Sequence, residues 1–229
     1  MTITTTTLTR AAGLSAVAAG LLFVAVQIKH PVVDLALVST TEWKVRQTVK
    51  VLFAALSLVG ITGMYLREVK QTGVVGLIGY LTFAVFYLIN LSTEVIGLVV
   101  IPSIAPSAPG YVSDVLTAAT GGQPAGDIGL MQPFSLAAGF TFIGGGLLFG
   151  IALFRANILV RWAAVVLAAG SVATIAIPLL PQLNQRLFAI PTGIALIGLG
   201  YSLWRDQRTT AALPVPSSVD SPLDPAAVK

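Results

Sequence analysis

Residues 50–70, KVLFAALSLVGITGMYLREVK, carry the fold class in miniature. A lysine opens the stretch, residues 51–66 hold no charged side chain, and Arg67, Glu68 and Lys70 close it. An apolar block bounded in this way is what a hydrocarbon layer about 30 Å thick selects. Lipid offers no partner to an unpaired peptide group, so the block must satisfy its own N–H and C=O groups, and a helix does so. Just upstream, Ser39-Thr40-Thr41-Glu42 has capping-box spacing: Ser39 can accept from the third amide of a new helix while Glu42 reaches back to the cap's own N–H. A helix is therefore predicted to start near Thr40, with residues 47–66 as its membrane span.

Five further blocks read the same way, at residues 11–28, 74–100, 129–154, 162–180 and 187–204. The first follows a Thr-rich leader, residues 1–10, whose only charge is Arg10, and it ends at Lys29-His30-Pro31. A secretory signal peptide fits poorly, because the stretch is long for such a segment and no small-x-small cleavage site follows. Pro102, Pro106 and Pro109 end the third block. Residues 103–128 are rich in Pro, Gly, Ser and Thr, with Asp114 and Asp127 but no Lys or Arg, which marks a translocated loop, with room for a short amphipathic helix over 112–119. The tail, residues 205–229, has no apolar face to bury and is expected to be disordered. The predicted fold is all-α: a polytopic membrane bundle of six transmembrane helices spanning residues 11–204.

Composition agrees. Of 229 residues 55% are hydrophobic and 10% charged, with a mean hydropathy of +0.89, whereas a soluble domain carries roughly a quarter charged residues. The absence of Cys removes disulfides, thiol catalysis and iron–sulfur ligation. The one histidine, His30, is too few for a bis-histidine haem or a His-rich zinc site. No Gly-rich phosphate loop, nucleophile elbow or paired catalytic carboxylates occur, so neither a catalytic residue nor a cofactor or metal is assigned. The net charge of +4 does not point to nucleic acid, because the basic residues stand singly at the ends of apolar blocks. The expected partner is the lipid bilayer, with a second membrane protein as a further possibility.

Arg10, Arg67, Lys70, Arg155, Arg161, Arg205, Arg208 and Lys229 fall on one side of the predicted spans, and Lys29, Lys44, Arg46, Lys50 and Arg186 on the other. The richer side is expected to be cytoplasmic, which places both termini there in a multi-pass protein of a bacterial plasma membrane. Counting about 1.5 Å per residue from that side, Arg46 and Glu94 lie roughly 30 Å up and Lys50 roughly 24 Å, with His30 at the same outer edge. Glu94, set among Leu91, Val95, Ile96 and Leu98, is costly there unless it meets a partner, a cavity or water. The plainer reading is an ion pair with Arg46 or Lys50 that fixes the second span against the third. The functional one is an outward-facing polar pocket of Gln27, His30, Arg46, Lys50, Asn90 and Glu94, able to take a small ligand, a cation or a proton. His30, at a helix end before Pro31, is ordinarily a capping or solvated residue; facing Glu94 it would make the pocket pH-sensitive.

Small residues mark helix contacts: Gly146 and Gly150, Gly76 and Gly79, and Ala12, Ala16 and Gly20. Residues 11–13 and 20–23 (AAG, GLLF) recur with identical spacing at 137–139 and 146–149, an echo that three spans per half would make an inverted repeat. Pro191 is placed to kink the outer half of the last span.

At residues 155–162, RANILVRW, the chain resembles a group of uncharacterised bacterial six-span membrane proteins, known as a domain of unknown function. The likeness lies in the short basic turn ending in Arg161-Trp162, the Ala-Gly-rich start of the first span at residues 10–13, and a last span entered through Ile190-Pro191, and it covers roughly residues 8–205. It implies six spans and supplies no catalytic residue. Two functions follow from the sequence: a small-molecule or ion-binding, permease-like protein using the outer polar cluster, or an accessory subunit of a membrane complex in which Glu94 is a staple. An intramembrane enzyme stands far behind both, since nucleophiles and metal ligands are so few.

Overall fold

The computed structural model describes residues 4–179, 187 and 189–211, and every regular element among them is helical. In chain order these are α1 (Thr5–Gln27), α2 (Leu35–Val38), α3 (Thr41–Val99), α4 (Ile101–Ile104), α5 (Pro109–Ala119), α6 (Met131–Ala156), α7 (Arg161–Ala173) with a 3-10 continuation (Thr174–Leu179), and α8 (Ala189–Ala211). Among the described residues α1, α3 and α6 are long and apolar enough to cross a membrane.

Straight, the 59 residues of α3 would extend about 90 Å. They fold back instead at Gly73, whose φ of 58° and ψ of −157° lie where only glycine sits without strain. A side chain there would meet open space, so the requirement is conformational and not steric. The first arm, residues 41–72, and the second, residues 74–99, then run antiparallel. The Trp43 indole donates to the Gly97 carbonyl at 2.8 Å near the open end, and Thr62 Oγ1 meets Tyr80 Oη at 3.1 Å nearer the bend.

The helices close into a ring in chain order. α1 packs on the first arm through Gly60 against Ala16, and on α8 through Gly13 against the Gly200 carbonyl. The second arm packs on α6, where a Cβ at Gly79 would stand 2.5 Å from the Phe149 nitrogen and one at Gly145 the same distance from that of Phe83. Gly150 carries α6 onto α7, and Gly198 carries α8 onto Trp162 and Ala163. With no hydrophobic drive between helices in lipid, such backbone approaches supply the packing contacts. The small residues singled out in the sequence all lie at helix contacts, Gly76 against Thr72 across the bend included. Because a ring in chain order maps onto itself after any three helices, it adds nothing for or against the 11–23 and 137–149 echo.

The outward faces carry large apolar side chains, among them Leu52, Val59, Leu66, Val74, Ile78, Leu81 and Leu88. Inside, Phe53, Phe83, Tyr87, Phe149, Leu153, Leu196 and Leu199 form the core. A second cluster covers the open end of the hairpin: Leu37, Val38, Trp43 and Ile101 meet Val112, Val115 and Leu116 of α5. α5 is the short helix anticipated over 112–119, begun three residues earlier. Asp114 ties it down by accepting from the Ala125 and Gly126 amides at 2.9 and 3.0 Å.

Several boundaries differ from expectation for local reasons. α1 starts inside the expected leader because Thr4, in extended conformation, accepts from the Thr7 amide. The cap of α3 is Thr40, not Ser39: Ser39 already has helical backbone angles, whereas Thr40 is extended and accepts from the Trp43 amide at 3.1 Å. Glu42 turns to Arg46 and not back to the cap. Pro191 falls in the first turn of α8, where a missing N–H breaks no bond, so it introduces no kink. α8 continues through residues 205–211, which the sequence placed in a disordered tail, and Asp206 on it accepts from Arg67 Nε at 2.7 Å. Residues 180–186 and 188, within the expected fifth and sixth spans and their turn, and 212–229 of the tail lie outside the described residues.

Candidate ligand site at the open end of the hairpin

Where α1 and the two arms of α3 converge, aromatic rings set a floor. Phe23 of α1 stacks on Phe53 of the first arm at 4.2 Å between centroids, and Phe53 meets Tyr87 of the second arm edge-on at 5.9 Å. Helical periodicity places polar residues in the next layer: Gln27 one turn beyond Phe23, Lys50 one turn before Phe53, and Asn90 one turn beyond Tyr87. Gln47 shares the stripe of Trp43 and Lys50, and Glu94 that of Tyr87 and Asn90.

Glu94 pairs with Lys50. The ammonium and carboxylate stand 3.6 Å apart, close enough for ion pairing and too far for a hydrogen bond, with side chains 21% and 13% exposed. Gln47 is 3% exposed. Its amide nitrogen lies against Gly97, where a Cβ would collide with it. The carboxamide oxygens of Gln27, Gln47 and Asn90 are all buried without a hydrogen-bond partner among the described residues. An unmet buried acceptor costs about 1–3 kcal/mol, and that of Gln47 stands one turn from a loose ion pair, where a donor would stabilise it.

Arg46 has a different role from the one foreseen. Its guanidinium donates to the Val26 carbonyl at 2.7 Å and the Lys29 carbonyl at 2.9 Å, and its Nε to Glu42 at 2.9 Å. It thereby caps the C-terminal end of α1, with its charge against the negative end of the helix, and its ion pair is with Glu42, not Glu94. His30 follows Lys29, whose positive φ of 49° turns the chain out of α1. The ring is buried, and its Nδ1 lies 2.8 Å from the Pro31 carbonyl. Of the six residues named from the sequence, Lys50 and Glu94 meet across the hairpin, Asn90 lies one turn before Glu94 and Gln27 ends α1, and Arg46 and His30 order the exit of α1. Gln47 went unnoticed; its signal was its place on the Trp43 and Lys50 stripe.

A second polar locus lies by the bend, beyond the span expected over residues 47–66. Glu68 is fully buried and accepts from the Leu159 amide at 3.0 Å, just ahead of α7. Burial pushes its carboxyl up to about 7, against the opposing pull of the Leu159 N–H and of Arg67, while Asp206 adds to the rise. Beside it the Val160 amide donates to Ser202 of α8 at 3.1 Å, so this end joins α3, α7 and α8.

No family model, curated protein or solved structure matches the chain.

Proposed function

We propose that this chain is a six-span protein of a bacterial plasma membrane, with both termini in the cytoplasm, that binds a small polar ligand at the extracytoplasmic end of the α3 hairpin in a non-enzymatic, permease-like role. The orientation rests on the placement of eight of the thirteen Lys and Arg residues at the bend side and at the termini, against a 103–128 segment with none. One observation carries the ligand reading: the buried, partnerless oxygen of Gln47, one turn from Lys50 of the Lys50–Glu94 pair. Buried polar atoms in folded proteins nearly always have a protein, water or ligand partner.

A second reading, an accessory subunit of a membrane complex, draws on α6. Gly139 and Gly144 face open space and Phe140 is 75% exposed, a surface onto which another helix could close. Purification from native membrane separates the two. A small molecule retained by the wild type and lost in Glu94→Gln supports the ligand site; a stoichiometric protein partner, with no small molecule, supports the accessory role. The resemblance to the six-span family of unknown function agrees with either.

A further inference from the structure

The bend of the hairpin holds a carboxyl that is only half satisfied. Glu68 Oε1 accepts from the Leu159 amide at 3.0 Å, whereas Oε2 is buried with no hydrogen-bond partner among the described residues. The hydroxyl one turn on is already used, since Thr72 Oγ1 donates to the Glu68 carbonyl at 3.0 Å. Two charges act on the carboxyl, Arg67 from α3 itself and Asp206 from α8, and these two pair with each other at 2.7 Å, Nε to Oδ2. The turn between α6 and α7 meets it with the Leu159 N–H. The other charged side chains on these elements near the bend, Lys70, Arg155, Arg161 and Arg205, are exposed, and Arg10 of α1 is half-buried.

The two protonation states of Glu68 ask different things of this arrangement. As a neutral acid it leaves one polar hydrogen unmet, a modest cost; as a carboxylate it is a buried charge with a single N–H donor, a far larger one. Arg67 precedes Glu68 in the chain and has N–H donors beyond the Nε given to Asp206. Asp206 can release it cheaply, because its side chain is 31% exposed, water replaces the lost contact, and so exposed a pair contributes little. Glu68, at 0% exposure, has no such recourse. We infer that Glu68, Arg67 and Asp206 form a proton-operated latch: while Glu68 is neutral, Arg67 pins the end of α8 to α3 through Asp206, and when Glu68 ionises, Arg67 turns inward to it and the end of α8 is let go. Burial, with the Asp206 charge, holds that ionisation back to about pH 7. The Leu159 contact survives the change, because a carboxylate accepts from an N–H more strongly than a neutral acid does. The latch lies at the opposite end of the hairpin from the Lys50–Glu94 pair and needs no ligand there.

The test is hydrogen exchange of the full chain in nanodiscs between pH 6 and 8.5, expressed as protection factors so that the intrinsic pH dependence of exchange drops out. Residues 204–211 report the end of α8, and residues 144–153 of α6 report global opening. Wild-type protection over 204–211 should fall about two- to fivefold as pH rises through 7, the factor an exposed ion pair contributes, over and above any change at 144–153. Glu68→Gln keeps an acceptor for the Leu159 amide and cannot ionise, so the end of α8 should hold its pH 6 protection throughout. Asp206→Asn removes the pair and should show the lower protection already at pH 6. Its thermal midpoint should also begin to decline at a lower pH than that of the wild type, because Glu68 loses a like charge and has sole claim on Arg67. Protection of the α8 end that is flat in the wild type, a decline shared equally with 144–153, or one that persists in Glu68→Gln overturns the latch. A rise in protection above pH 7 overturns it as well, since Arg67 would then bridge both carboxylates and tighten α8.

Discussion

Glu68 offers the sharpest quantitative prediction, because its burial is complete and its chemistry titrates in an accessible range. Its carboxyl sits near 7 in the folded chain against an ordinary value of 4.5. A carboxyl raised on folding favours the protonated folded state, so its full contribution is present below 4.5 and is lost as pH rises through 7. That difference amounts to about 3 kcal/mol, and for a chain of this size about 6–12 °C of melting temperature. The assay is a set of melts from pH 4 to 8.5 on wild type, Glu68→Gln and Glu68→Ala. The glutamine keeps an acceptor for the Leu159 amide and removes the titration, so its midpoint should be nearly flat across the window where the wild type declines, and higher than wild type at pH 8. The alanine leaves the Leu159 amide unmet and should be less stable than the glutamine at every pH, by about 1–3 kcal/mol. A wild-type midpoint independent of pH, or a Glu68→Gln variant with the same decline, would refute the reasoning.

Other substitutions test the packing. Gly79→Val places a side chain against the Phe149 backbone and should cost at least about 3 kcal/mol or abolish folding, whereas Gly139→Ala, which meets open space, should melt within a degree or two of wild type. Gly73→Ala keeps every contact yet forces a positive φ on a residue with a Cβ; a loss of about 1–3 kcal/mol in a denaturation series is expected. Arg46→Ala releases the Val26 and Lys29 carbonyls and should raise hydrogen exchange over residues 24–30, which Glu94→Gln should leave unchanged.

Much of the frame was legible from residue order. The apolar blocks gave all-helical elements, the charges at 67–70 marked the place where α3 folds back at Gly73, and counting helical rise put Arg46 level with Glu94 and Lys50 about one turn lower, near enough for the pair that forms. The limits were set by contacts distant in sequence. Whether Arg46 or Lys50 would take Glu94 depended on the end of α1, whose free carbonyls claim the guanidinium. Glu68 read as one charge among three at a helix end; its burial comes from the turn around Leu159, 91 residues away. Gln47 carries no charge and does not stand out in a hydropathy pattern, although its position on the Trp43 stripe turns it inward. The cap moved from Ser39 to Thr40 because two hydroxyls stand side by side and backbone geometry, not residue type, chose between them.

The central claim is that the hairpin end around Gln47 and the Lys50–Glu94 pair is an occupied site. The most direct measurement is an experimental structure of the full chain in nanodiscs, at a resolution that shows ordered ions and solvent. The account predicts ordered density within hydrogen-bond distance of the Gln47 carboxamide oxygen, about 2.7–3.2 Å. A dry hairpin end in which the Gln47 oxygen takes a donor from the protein and Lys50 closes from 3.6 Å fully onto Glu94 would contradict it.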